Sequence, residues 1–142
     1  MKTSARNQFL GTISALRQGA VNDEVELTIV GGQKIVAIIT SDSTQRLGLK
    51  IGSEVFALVK SSSIILVSDA QGGRFSARNG LAGSISRLTP GAVNAEVIID
   101  LPQGGSIAAI ITNESAKNLD LAVGKTVSAI FKASSVILCT PT

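Results

Sequence analysis

The chain carries its own sequence twice. Ser4-Ala5-Arg6-Asn7 recurs as Ser76-Ala77-Arg78-Asn79, and Gly19-Ala20-Val21-Asn22 recurs as Gly91-Ala92-Val93-Asn94. Ile38-Ile39-Thr40 returns as Ile110-Ile111-Thr112, Lys60 as Lys132, and Ser62-Ser63 as Ser134-Ser135. The offset is 72 positions throughout, as from Ser4 to Ser76, and no gap is needed between Ser4 and Ser68. Roughly half of those positions match their partners, which identifies a tandem duplication of a unit of about 65 residues. Residues 1–68 and 75–142 are the two expected domains, and the short polar, Gly-rich stretch 69–74 is the expected linker. A unit this small has a marginal core, so each copy must nearly fold alone or lean on its twin, and oligomerisation is a common remedy.

Each unit reads as strands with one short helix. Between Val21 and Ile29 the odd positions (Val21, Asp23, Val25, Leu27, Ile29) alternate with Asn22, Glu24, Glu26 and Thr28, the period of a half-buried strand. A strand from Phe9 to Leu16 precedes it, with Gly11 suggesting a bend or bulge. Gly31-Gly32-Gln33-Lys34 is a turn into the strand Ile35–Ile39. Thr40 then offers an N-cap hydroxyl, Asp42 an acid in the first turn and Arg46 a cation in the last, which predicts a short helix ending near Gly48. Val55–Val59 and Ile64–Val67 complete the set. The fold class expected is all-β: two tandem OB-like five-stranded antiparallel barrels, each with one short helix between strands 3 and 4. An SH3-like barrel, which usually lacks that helix, is the alternative.

Composition narrows the function. Among 142 residues there is no His, Trp or Tyr, and only four Phe and one Cys. That argues against His-based hydrolytic triads, His-ligated metals and Cys-only zinc sites. Lone Cys139, in the run Val136–Cys139, reads as a buried small hydrophobe. Single-stranded nucleic acid, a common OB-fold ligand, needs stacking platforms that this chain lacks. The net charge of +3 is spread without runs and suits a small anion. Gly31–Lys34 lacks the spacing of a phosphate-binding P-loop. The start of the chain has no apolar targeting segment and the apolar runs are strand-sized, so a cytoplasmic protein without a membrane partner is expected.

Four duplicated features are candidates for chemistry. Ser4-Ala5-Arg6-Asn7 and Ser76-Ala77-Arg78-Asn79 gather hydroxyl, guanidinium and amide donors at the start of a strand, as an oxyanion requires. Lys60-Ser61-Ser62-Ser63 and Lys132-Ala133-Ser134-Ser135 place an ammonium beside hydroxyls and amides. The turns Gly19-Ala20-Val21-Asn22 and Gly91-Ala92-Val93-Asn94, followed by Glu24 and Glu96, let backbone approach a ligand or subunit closely. The helix starts after Thr40 and Thr112 carry Asp42 and Glu114, which would repel an anion. Plain structural roles, such as a solvated turn or a polar strand start, suit the same residues. No catalytic constellation is visible.

The motifs Thr3–Gln8, Gly11-Thr12-Ile13, Gly-Ala-Val-Asn-x-Glu-Val and Lys-x-Ser-Ser together resemble the molybdenum–pterin-binding (Mop) domain, and the tandem layout resembles the molbindin family. The resemblance covers nearly the whole chain. It implies an OB-like barrel, no catalysis, no catalytic cofactor, and molybdate or tungstate bound at interfaces between Mop domains in a homotrimer of six domains. Carried over by position, it implies oxyanion-binding roles for Ser4, Ala5, Arg6, Lys60 and Ser61, and for Ser76, Ala77, Arg78, Lys132 and Ala133. Gly19, Ala20, Val21 and Asn22, with Gly91, Ala92, Val93 and Asn94, are the candidates for a second class of oxyanion site. Ala133 departs from the pattern by lacking the hydroxyl of Ser61, which should weaken its pocket. The function expected is molybdate storage and homeostasis. The alternative is a non-catalytic oligomeric module in which a bound oxyanion is structural.

Overall fold

The computed structural model describes residues 2–68 and 74–141; residues 69–73 of the expected linker lie outside the described residues. The first repeat contributes β1 (Asn7–Arg17), β2 (Asn22–Ile29), β3 (Lys34–Thr40), α1 (Ser41–Arg46), β4 (Glu54–Val59) and β5 (Ile65–Val67). The second contributes β6 (Asn79–Pro90), β7 (Asn94–Asp100), β8 (Ser106–Thr112), α2 (Asn113–Asn118), β9 (Thr126–Phe131) and β10 (Ile137–Cys139). Single 3-10 turns at Ser61–Ser63 and Ala133–Ser135 precede the last strand of each repeat. The expected order of strands and helix holds in both.

The local causes are those the sequence offers. In β2, Asp23, Val25, Leu27 and Ile29 are buried while the residues between them are not. Val21, expected to begin this inward row, is 71% exposed. Its carbonyl accepts from the Ser41 amide, so it belongs to the turn before the strand. The Thr40 hydroxyl caps α1 by accepting from the Ser43 amide at 3.1 Å, and Thr112 does the same for Ser115 at 3.0 Å. Gly11 is not a bulge. It sits in regular register opposite Ile29 and Val55, and the register breaks between Ile13 and Ala15. Gly11 is needed for closeness instead, since a Cβ there would lie 2.9 Å from the Thr28 carbonyl oxygen.

The two sheets are five-stranded and antiparallel, but neither is built from one repeat. Their orders are β10-β4-β1-β2-β3 and β5-β9-β6-β7-β8. The last strand of each repeat therefore completes the sheet of the other: Leu138 sits opposite Ala57, and Leu66 opposite Ala129. Leu66 and Leu138 are both buried in the core that their host sheets share with Val25, Leu27, Val97 and Ile99. Burying such a side chain stabilises by about 1.5–3 kcal/mol, so each core is incomplete without a residue from the other repeat.

A second tie reinforces the exchange. The side-chain amide of Asn7, 3% exposed, donates to the Ala108 carbonyl at 2.9 Å and accepts from the Ala108 amide at 2.7 Å. Asn79 makes the same pair of bonds to Val36, at 2.8 and 2.7 Å. Each asparagine thus imitates a strand residue along the neighbouring repeat's β3 or β8. The exchange predicts one calorimetric unfolding transition for the whole chain, with no separate transition for each repeat. Asn7→Ala or Asn79→Ala should lower its stability by about 2–4 kcal/mol in denaturant titration, because the backbone N–H and C=O bonded by each asparagine, buried at Ala108 and half-buried at Val36, lose their partner. Two resolved transitions, or losses below about 0.5 kcal/mol, would contradict this arrangement.

Candidate functional site

The sheet register brings the first two sequence motifs together. Asn7 is opposite Val59 on β1 and β4, so Arg6 and Lys60 leave the sheet side by side. Asn79 is opposite Phe131, which does the same for Arg78 and Lys132. Around the second pair lies a cleft of about 350 Å³ lined by Ser76, Ala77, Arg78, Lys132, Ala133 and Ser134. Ile38 of the first repeat and Ile65 and Val67 of the exchanged strand also line it, so the cleft lies at the seam between repeats.

Its donors differ in how free they are. Lys60 and Lys132 are exposed, and neither is in an ion pair among the described residues. In each 3-10 turn the first closing bond is donated by the third residue, Ser63 to the Lys60 carbonyl at 3.0 Å and Ser135 to Lys132 at 2.9 Å. The turns themselves therefore make no use of the amides of Ser61, Ser62, Ala133 and Ser134. Ser61 and Ala133 occupy equivalent buried positions, and only Ser61 brings a hydroxyl. Ser4 and Ser76 are exposed and Ala5 and Ala77 half-buried, with the Ala5 amide already donating to the Thr3 hydroxyl at 3.1 Å.

The arginines are committed elsewhere. Arg6 is ion-paired with Glu96, and Arg78 with Glu24, each across the seam. Sequence reasoning placed Glu24 and Glu96 in the Gly-Ala-Val-Asn motif but gave them no partner. The equal spacing of both motifs in both repeats was the available signal. The asparagines of Ser-Ala-Arg-Asn, read as further donors for an anion, are used up by the bonds to Ala108 and Val36.

The Gly19–Asn22 and Gly91–Asn94 turns stand apart from the cleft lining and are fastened differently. In the first, buried Asp23 accepts from the Ser41 hydroxyl at 2.7 Å and the Gly19 amide at 3.1 Å. The second has Ala95 there; the Asn113 side-chain amide donates to the Gly91 carbonyl at 2.9 Å, and Gly91 donates to the Asn94 carbonyl at 2.7 Å. Val21 and Val93 project outward, 71% and 70% exposed. Cys139 is half-buried, less than its apolar run suggests, because short β10 ends there and its thiol donates to the Thr140 carbonyl.

A TOBE domain model matches residues 3–66 and again residues 76–138. The chain belongs to the TOBE-domain family. This tandem TOBE chain is 47% identical, with a TM-score of 0.97, to a crystal structure of the cytoplasmic molybdate-binding protein ModG in a form with molybdate bound. The match covers 99% of this chain and 100% of that one. It is 49% identical over 138 residues to the molybdenum transport protein ModE of Herbaspirillum seropedicae, covering 97% of this chain and 51% of that protein. Against the molybdenum-pterin-binding protein MopA of Rhodobacter capsulatus the identity is 46% over 141 residues, 99% of this chain and 53% of the relative. The chain thus spans about half the length of these curated relatives. The resemblance read from its motifs to tandem Mop-domain proteins is borne out, as is the OB-like fold class.

One difference between the repeats is testable by pH. The Ser41 hydroxyl first, then Thr44 and the Gly19 amide, hold the Asp23 carboxyl below its ordinary value of 3.8, and burial opposes them only in part. A depressed folded pKa gives stability that is present above 3.8 and lost as pH falls through the folded value. The stability gap between wild type and Asp23→Ala should hold steady near neutrality and narrow below about pH 3.8 in urea titrations. A gap independent of pH would show that the carboxylate charge does not fasten the turn.

Proposed function

We propose that this protein binds molybdate or tungstate in the clefts at the seam between its repeats and serves as a cytoplasmic store of the anion. The observation that carries the reading is the convergence of Ser76–Arg78 with Lys132–Ser134 around one cleft at the seam. Molybdate at neutral pH is a tetrahedral dianion without protons, so every oxygen is an acceptor. A fitting site offers donors and positive charge and no acid–base partner. Here Lys132 supplies the uncompensated charge, Ser76 and Ser134 offer hydroxyls, and the turn leaves the Ala133 and Ser134 amides unused. Lys60, Ser61 and Ser4 are the counterparts in the first repeat, where Ser61 adds a hydroxyl. Arg78 borders the cleft and Arg6 holds the equivalent place in the first repeat, both with their guanidinium groups tied, and Ala77 and Ala5 contribute backbone. Gly19–Asn22 and Gly91–Asn94 are proposed as a second oxyanion site formed with other copies. The match to ModG and the names of the molybdenum-related relatives support the choice of anion and compartment.

The assembly proposed is a homotrimer with six domains. Ile65, Phe75 and Ile137 support it, being 64%, 49% and 61% exposed and too apolar for a solvated rim. A neighbouring copy would cover them and border the clefts; sedimentation at the trimer mass is expected. No nucleic-acid partner is proposed, since the chain has no Trp or Tyr to stack bases. Catalysis is not proposed either: with no His and one half-buried Cys, the clefts offer donors without a base or nucleophile pair.

Molybdate should raise the melting temperature, since a ligand held by the native state alone adds about 2.7 kcal/mol at a hundredfold excess over Kd. Phosphate, which carries a proton near neutral pH and finds no acceptor, should do little. Lys60→Met and Lys132→Met should each cost about 2–5 kcal/mol of molybdate binding with the apo fold intact. Ala133→Ser should tighten its cleft, and Ser61→Ala should loosen the other. Wild-type affinity and stoichiometry in both lysine variants would mean that the pockets are wrongly assigned.

A further inference from the structure

Arg78 of the second Ser-Ala-Arg-Asn motif borders the cleft, yet its charge is already paired with a carboxylate. Arg78 lines the cleft and is bonded to Glu24; Arg6 is bonded to Glu96 in the equivalent place. Each carboxylate comes from the opposite repeat. Glu24 lies on β2, paired in register with Ile38, and Ile38 is itself part of the cleft wall. Side-chain exposures of 50% and 25% for Arg78 and Glu24, and 51% and 23% for Arg6 and Glu96, show the same half-sheltered pair twice.

We infer that Glu24 and Glu96 are positioning residues that set the charge of the oxyanion sites, Glu24 clamping Arg78 at the rim of the cleft and Glu96 clamping Arg6 at the equivalent place, so that lysine alone faces the anion. The inference rests on the oxyanion reading and says what limits it. With both cations free, a cleft would present a doubly positive wall to a dianion and hold it tightly. With the arginine clamped, one cation remains, and the arginine instead stiffens the backbone of Ser76-Ala77-Arg78 against the neighbouring repeat. A store must release what it holds, and a single uncompensated charge suits release. The two pairs are not equal in this respect. Arg17 also reaches Glu24, at 3.7 Å, whereas Thr89 occupies the equivalent position beside Glu96.

The test uses the full chain and molybdate itself, titrated calorimetrically at low and high chloride into wild type, Glu24→Gln and Glu24→Asp. Glu24→Gln keeps the shape but removes the charge, so Arg78 is released toward the cleft. Binding in the Arg78–Lys132 cleft should tighten about tenfold at low chloride and weaken more steeply as chloride rises. Glu24→Asp, which keeps the charge, should stay near wild type. Unchanged or weaker binding by Glu24→Gln would overturn the inference. The clamp is also read without any anion, by NMR of the Arg78 guanidinium: slow rotation in wild type and fast rotation in Glu24→Gln are expected. Free rotation in wild type would overturn the clamp. A wild-type chain that takes up no molybdate but shows slow rotation would overturn the oxyanion reading, and the clamp would lose its role in binding.

Discussion

Each sheet closes on a strand supplied by the opposite repeat, and the cleft inherits its position from that exchange. Once β10 lies beside β4 and β5 beside β9, the 3-10 turns that precede these strands are carried to the seam. The lysines that begin those turns go with them. The asparagines then fix the seam in register, each bonded to the backbone of one residue of β3 or β8. Neither tie works alone. Without the exchanged strand the core lacks Leu66 or Leu138, and without the asparagine bonds the backbone N–H and C=O of Ala108 and Val36 lose their partners.

The seam also explains how charge is arranged. Arginine, the stronger and more directional cation, is spent holding the repeats together through Glu24 and Glu96. Lysine, a mobile point charge, is left facing the cleft. Structure and ligand recognition thus use different cations of the same motif cluster. The repeats have diverged mainly around this frame. Ala133 replaces Ser61, Ala95 replaces Asp23 and Thr89 replaces Arg17, while the Asn, Lys and Glu positions of the seam are the same in both.

Local features of the fold were readable in the sequence because local chemistry decides them. The alternation of Asp23, Val25, Leu27 and Ile29 with polar neighbours, and Thr40 ahead of a short helix, need no distant partner. Gly11 misled because a missing side chain marks either a bulge or a close approach, and only the Thr28 carbonyl tells which. The strand exchange was invisible for a deeper reason. Ile65-Leu66 and Ile137-Leu138 are the same dipeptide, so either strand fits either sheet, and chain connection rather than local preference settles the outcome. Of the site, the lysine and Ser-Ala-Arg segments were readable because they recur. The pairing of Arg6 with Glu96 was not, because it joins residues of different repeats with no local signal.

The most direct test of the seam as the binding site is a crystal of this chain grown or soaked with molybdate, with molybdenum located by anomalous scattering. The account predicts anomalous peaks in the clefts, within hydrogen-bonding reach of Lys60 or Lys132 and of the amides beginning the adjacent 3-10 turns. Full-occupancy peaks confined to other surfaces, with both clefts holding only solvent, would contradict it.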